Sequence, residues 1–371
     1  MTHDFKKAFI SGVERVAAWS DILDEINVFP VADGDTGRNL MISMTPLRQL
    51  NKYPENIINR LLLSARGNSG NIAARFFSGF LQAGSFADLP AAAESGRDRA
   101  WQAVHKPVAG TMLTIFDELA EFLKKDKTDD KNEYVLQVTT HLEKATLSTN
   151  KIIPKLKQAG VVDSGALGMY IFLESFFNSL IGRQENLMPI TKKFKGFLQI
   201  SSSFQEETEA GYCVDTVVRF DNTKRGNISS LSEWGESVVV IEHDDYIKVH
   251  LHTDNMVEAR KKIESIGDVV NWTDDDMDRQ IKKFKRQSKH KTIHIMTDAA
   301  GSVTREDSNN LGFTLLDSYI IAGDKSMPET HFPSSELYKS MRDGVKVSTS
   351  QASVFERHQY YQRILAQHKE V

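Results

Sequence analysis

At 371 residues the chain is longer than one ordinary domain, and its 40% apolar, 26% charged and 9% aromatic composition excludes a disordered or fibrous protein. With 46 basic and 50 acidic side chains the net charge is −4, which lacks the basic footprint a general nucleic-acid binder requires. Cys213 is the single cysteine, so an internal disulfide framework is excluded and a reducing compartment is expected.

No apolar run follows Met1–Lys7, so no secretory leader is expected and the cytoplasm is the expected location. Apolar residues then recur at three-and-four spacing over 5–26, 40–50, 57–65, 72–81, 91–104, 112–123, 134–147 and 167–181, which predicts about eight helices and no strand. The longest apolar run, 170–180, contains Glu174 and Asn178 and is too short to span a bilayer. The polar tract 124–132 reads as a solvated helix end and loop. From Gly211 the period becomes two. Residues 211–220 alternate with Tyr212, Val214, Thr216, Val218 and Phe220 on one face. A short helix near 229–236, a hairpin of 238–243 and 246–253 around Asp244-Asp245, a helix over 256–266 and a strand over 268–272 complete a βαββαβ order. That order predicts a split-βαβ, ferredoxin-like sheet with helices on one side.

Residues 274–291 pass from acidic to basic and read as a helix or linker. Beyond them, strands over 292–296 and 313–322, helices over 334–341 and 355–366 and a polar loop over 347–351 suggest an incomplete α/β unit. The expected domains are therefore 1–186, all-α; 187–285, α+β; and 286–371, partial α/β.

Three loops are rich in Gly, Asp, Asn and Ser rather than merely polar. The first, NVFPVADGDTGRN (27–39), sets Asp33 and Asp35 on either side of Gly34. Such a loop by itself is most often a helix-capping turn, and it also fits two carboxylates converging on Mg²⁺, with Gly34 and Gly37 bringing amides close to anions. ARGNSG (65–70) and DSGALG (163–168) each open a helix, where unpaired amides and the dipole favour phosphate. Three such loops on one helical domain point to one shared anion pocket.

These motifs, with GTMLT at 110–114 and AGVVDSGALG at 159–168, closely resemble the fatty acid kinase A component. Its N-terminal domain is similar to the nucleotide-binding subunit of dihydroxyacetone kinase, an eight-helix barrel that holds ATP and two Mg²⁺ ions. The resemblance continues through Gly211-Tyr212-Cys213 and 249–254, and so covers residues 5–285. It implies that Asn27, Asp33 and Asp35 hold the metals and that Thr36, Asn39, Ser69 and Gly70 meet the nucleotide phosphates. It further implies that Thr111, Met112, Asp163, Ser164 and Gly165 surround the nucleoside. Arg38 stands where the family has a small Thr, Ala32 replaces a proline, and Ala166-Leu167 replaces Gly-Gln; Arg38 either tunes phosphate contacts or crowds the pocket.

In the strand 246–253, Ile247, Val249 and Leu251 share one face, which leaves His250 and His252 on the other, and Cys213 is out of phase with its apolar neighbours. Two packed histidines and a zinc site of one sulfur and two nitrogens both fit this pattern; the resemblance implies zinc. The fourth ligand stays open among His243, Asp254 and water.

The last segment resembles a DegV-type protein, the fatty-acid-carrying B component of the same kinase, through Thr297-Asp298-Ala299-Ala300, 320–325 and Val347-Ser348-Thr349-Ser350-Gln351. That resemblance implies a fatty acid carboxylate at Thr349 and Ser350; a helix N-cap before Val354 is the alternative. The expected activity is ATP-dependent phosphorylation of a carrier-bound fatty acid to an acyl phosphate, with Arg66 and helix N-termini helping two Mg²⁺ ions on Asp33 and Asp35 offset repulsion between anions. A dihydroxyacetone-type kinase and a non-catalytic nucleotide or lipid sensor are the alternatives. The middle domain is expected to dimerise or dock, and the partner is a DegV-type carrier in cis or in trans.

Overall fold

The computed structural model describes residues 1–52, 54, 56–125, 130–205, 211–220, 234–243, 245–277, 293–299, 303–323, 325–368 and 370–371. Every periodic segment of the first half is a helix: α1 (His3–Glu25), α2 (Thr36–Met44), α3 (Ile57–Ser64), α4 (Gly67–Phe80), α5 (Leu89–Ala103), α6 (Met112–Lys124), α7 (Lys131–Ile152) and α9 (Ser164–Leu180). A 3₁₀ turn, Thr45–Gln49, extends α2. The addition is α8 (Pro154–Ala159), started by a proline at its first position and stopped by left-handed Gly160; it is too short for a helical period to show.

α9 is apolar nearly all round, and such a helix belongs inside a core. It is buried along its length and touches α1, α2, α6 and α7. Phenylalanines lock the layers together. Phe76 stacks on Phe116 at 4.0 Å, Phe9 meets Phe176 edge-on at 4.9 Å, and Phe77 meets Phe172 at 4.7 Å. Glu174, the charge inside the apolar run, is paired with Arg15 and Lys193 and is thereby held below the usual carboxylate range despite its burial. The helical core does not end at 186. α10 (Ile190–Lys193) follows, Ile190 and Phe194 are fully buried in the same core, and Phe197, Leu198, Ile200 and Phe204 pack against it.

The middle sheet contains β1 (Tyr212–Phe220), β2 (Glu236–His243), β3 (Tyr246–Thr253) and β4 (Gly267–Asp276), antiparallel throughout in the order β2-β3-β1-β4. This is the strand order of the expected split-βαβ arrangement. The helix expected near 229–236 falls mostly outside the described residues. α11 (Met256–Glu264) covers one face, where Val214, Val218, Ile247, Val249 and Leu251 meet Ala259 and Ile263. The opposite face is also covered, because the helical domain lies on it. β4 is longer than the sequence suggested. Asp274–Asp276, read as the start of a linker, continue the strand because β1 extends far enough to pair with them, Cys213 lying opposite Asp275. Met277, buried, follows the strand and donates its amide to the Gly211 carbonyl, and 278–291 of the expected linker lie outside the described residues.

The last segment folds as two small sheets. β5 (Met296–Asp298) pairs in parallel with β6 (Thr314–Leu316), and β7 (Tyr319–Ala322) sits between β8 (Lys325–Pro328) and β9 (Val347–Ser350). The single strand expected over 313–322 is thus split between sheets, and the loop expected at 347–351 is mainly strand, its backbone paired with β7. α12 (Arg305–Leu311), α13 (Ser334–Arg342) and α14 (Val354–Gln367) complete the segment. It is not a detached unit. α14 packs along α1, Tyr360 enters the helical core, and Ile42 of α2 joins Ile320, Met327 and Phe332.

Candidate active site

A cleft opens where the helical domain meets the middle sheet; Asp33, Asp35, Thr36, Gly67, Asn68, Ser69, Cys213, His250 and His252 are among its lining residues. Gly34 adopts φ 66°, the left-handed conformation that lets the loop turn between Asp33 and Asp35. Asn27, itself buried, donates from Nδ2 to Asp33 Oδ1 at 2.6 Å and accepts from Ser164 Oγ at 3.3 Å. The two glycine-rich loops that open α2 and α9 are thereby joined. Burial, then the adjacent Asp35, pushes the Asp33 carboxyl well above the ordinary range. Two hard oxygen donors crowded in this way, whose mutual repulsion a cation relieves, suit Mg²⁺.

Gly37 has a different role from the expected one. A Cβ there would collide with the Ser20 carbonyl, so the glycine lets α2 start against α1. Its amide and that of Arg38 donate to Asp24 Oδ1, at 2.6 and 3.1 Å. A carboxylate of the chain itself therefore occupies the α2 N-terminus. The Arg38 guanidinium turns to Asp35, with Nη2 3.4 Å from Oδ2.

At α4, the Gly67, Asn68 and Ser69 amides have no intrahelical acceptor, whereas the Gly70 amide donates to Arg66 O at 3.1 Å. Gly70 is not among the cleft-lining residues; a Cβ on it would strike Ser43, so it serves the approach of α4 to α2. Asn39 is buried beneath Gly67 and likewise does not line the cleft. Arg66 caps α4 beside these residues, with its amide donating to Ser43 Oγ at 2.9 Å. Thr111, Met112, Asp163 and Gly165 form a neighbouring cluster. Asp163 caps α9 through the Ala166 amide at 2.7 Å, and Gly165 packs on Met112. Burial lifts the Asp163 carboxyl to about 7 even though the Ala166, Gly165 and Met112 amides favour its charge.

Cys213, His250 and His252 come together because β1 lies beside β3, with Cys213 opposite His252 and Asp215 opposite His250. One potential ligand atom from each of the three lies within 4.8 Å of the others. The donor set suits zinc, and His250 Nε2 is buried with no hydrogen-bond partner among the described residues. Burial and the nearby carboxylates, Asp215 first, raise the Cys213 thiol well above its usual range. Burial and His250 depress His252 to about 3. Of the suggested fourth ligands, the His243 side chain is not among those described.

Thr349 and Ser350 are exposed on β9 and are not among the residues that line the cleft. The cap before Val354 is made by Ser353, which accepts from the Glu356 amide at 3.1 Å. Two residues that pattern reading missed, Asp24 and Asp215, contact the first amides of α2 and α4. Asp215 was legible in one respect, since it follows Cys213 by two and so shares its strand face.

A DAK2 domain model matches residues 30–178, a model of the middle domain of fatty acid kinase A-like proteins matches 209–284, and one of the DegV family of uncharacterised proteins matches 292–371. The helical part of the chain is thus similar to a DAK2 domain. More particularly, the chain has a fatty acid kinase A-like architecture followed by a DegV-family segment. It is 28% identical to an uncharacterised protein of Staphylococcus saprophyticus over 92% of this chain and 67% of that one. It is 29% identical to one of Staphylococcus haemolyticus (87% and 65%) and 32% identical to protein YloV of Bacillus subtilis (74% and 55%). The chain therefore spans a little over half to two thirds of these relatives. No helix among the described residues is long and apolar enough to cross a membrane.

Proposed function

We propose that this chain is the ATP-dependent kinase part of an acyl kinase, converting a fatty acid held by a DegV-type carrier into an acyl phosphate. The observation that carries the reading is the convergence of Asp33 and Asp35 with the α4 N-terminus in one cleft, under the Cys213/His250/His252 group. In this reading the helical domain is the eight-helix nucleotide barrel, and the middle domain brings two chains together in a cytoplasmic homodimer.

A carboxylate acceptor is already ionised near neutral pH, so no general base has to deprotonate it. The obstacle is repulsion between anions. Asn27, Asp33 and Asp35 would hold two Mg²⁺ ions, which when bound neutralise and align the phosphates. Asn27 fixes Asp33, Ser164 fixes Asn27, and the Asn68 and Ser69 amides face the incoming anion. Arg66 adds positive charge at the start of that turn. Cys213, His250 and His252 would hold Zn²⁺, a Lewis acid at the opposite wall.

The test is transfer from ATP with Mg²⁺, a long-chain fatty acid and an added DegV-type carrier, trapping product with hydroxylamine. Acyl hydroxamate is expected only with carrier, and Asp33→Ala or Asp35→Ala should reduce it at least ~100-fold with helical circular dichroism unchanged. Carrier-independent phosphorylation of dihydroxyacetone would instead establish the small-molecule kinase. ATP binding without turnover would establish the sensor, the reading favoured by Arg38 lying against Asp35.

A further inference from the structure

The two halves of the cleft meet at Asp215. The residue is 9% exposed and belongs to none of the glycine-rich loops. Oδ2 accepts from the Gly67 amide at 2.8 Å, the first amide of α4, and Oδ1 accepts from Asn71 Nδ2 at 2.9 Å, one turn further on. The same Oδ2 lies 3.4 Å from His250 Nδ1. Beside it on the same sheet face, the Lys248 ammonium donates to the Ala65 carbonyl. The middle sheet therefore grips both sides of the Ala65–Gly67 turn, with an acceptor on one side and a donor on the other.

A carboxylate against an imidazole fixes the tautomer and plane of the ring, and in metal sites such partners set affinity. Here that carboxylate also holds the start of the helix that faces the phosphates. With Asp215 at Nδ1, the other ring nitrogen of His250 is left buried and without a partner among the described residues. We propose that Asp215 is a positioning residue that couples the two sites: it orients His250 for a divalent metal and seats the first turn of α4, so that filling the Cys213/His250/His252 site rigidifies the phosphate-facing turn. This rests on reading that group as a zinc site. A bound cation draws on the imidazole and strengthens its bond to Asp215. A more firmly held Asp215 in turn leaves the Gly67 amide less free to open.

The coupling is tested on the full chain, metal-free and with Zn²⁺ alone, in wild type, Asp215→Asn and Asn71→Ala. Two readouts are taken, Zn²⁺ affinity by competition with a chromogenic chelator and hydrogen exchange of the amides at 67–71. Asn preserves the shape of Asp215 but presents an amide group to partners that are donors. Asp215→Asn should bind Zn²⁺ about 10–100-fold more weakly, exchange faster at α4, and show no protection there when Zn²⁺ is added. Asn71→Ala, which removes the donor to Asp215 Oδ1 but leaves Oδ2 against His250, should keep near wild-type Zn²⁺ affinity but lose part of the Zn²⁺-induced protection of α4. It carries the test if the first variant does not fold. Wild-type affinity in Asp215→Asn, or full Zn²⁺-induced protection in either variant, overturns the coupling. A wild-type chain that takes up no Zn²⁺ overturns the zinc reading, and the coupling with it.

Discussion

Arg48 Nη2 lies 2.8 Å from Glu356 Oε2, and its guanidinium sits 3.8 Å from the centre of the Tyr319 ring, whose hydroxyl donates to Glu356 Oε1 at 2.5 Å. The three residues join the turn after α2 to β7 and α14. Further along the same helix pair, Arg15 and Trp19 both donate to Gln359 Oε1, at 3.2 and 3.1 Å, and Arg363 pairs with Asp21 at 2.5 Å. The DegV-family segment is thus fastened to α1 by polar groups that, Asp21 apart, are taken out of water.

In such a setting the loss of one partner costs more than the pair contributes, because the other charge stays buried and uncompensated. Glu356→Ala should destabilise the protein by about 3–5 kcal/mol, read as a lower urea midpoint, and should expose α14 to proteolysis. Replacing both partners with apolar residues, as in Arg48→Met with Glu356→Leu, should recover most of the loss. A Glu356→Ala protein within about 0.5 kcal/mol of wild type would mean that α14 is not held there.

Arg38 invites a test of a different kind. Its guanidinium is 3.4 Å from Asp35 Oδ2 and occupies charge that a cation would otherwise use. Arg38→Thr should therefore lower the Mg²⁺ concentration needed for half-maximal thermal stabilisation by ATP and Mg²⁺ by several-fold. An unchanged or higher requirement would show that Arg38 assists the phosphates rather than competing with the metal.

The helical half was legible because its signal is local. A helix such as α9 declares itself by composition, and the caps at Thr111 and Asp163 occur where their side chains meet the first amides. The Cys213/His250/His252 group was legible because strand side chains alternate, so that phase alone separated His250 and His252 from Ile247, Val249 and Leu251. What sequence pattern does not carry is which element covers a face. Asp24 and Asp215 fill helix N-termini that looked free for ligand, and each reaches them from a separate element. Val347–Ser350 likewise is a strand only because β7 is adjacent. Its run of small polar residues signals a loop until that partner is in place.

Cys213 and His252 of the candidate zinc site differ in what pH does to them. His252 titrates at about 3 in the folded chain, against an ordinary 6.5, because of burial and the neighbouring His250. Between those values the unfolded chain binds more protons, so the metal-free fold should lose stability as pH falls through that window, by up to roughly 5 kcal/mol if His252 acted alone. The raised carboxyls of Asp33 and Asp163 oppose this, since the folded state holds their protons longer and is weakened as pH rises. His252→Asn should therefore make the metal-free protein relatively more acid-resistant than wild type. The pH dependence of metal uptake near neutrality should come not from His252, which burial and His250 keep neutral there, but from Cys213, whose thiol must ionise before it can bind. Zn²⁺ binding at pH 7 should release one proton, and affinity should rise about tenfold per pH unit. Calorimetry in buffers of different ionisation enthalpy measures the proton directly. Release of no proton, or an unchanged release in Cys213→Ser, would remove the sulfur from the site.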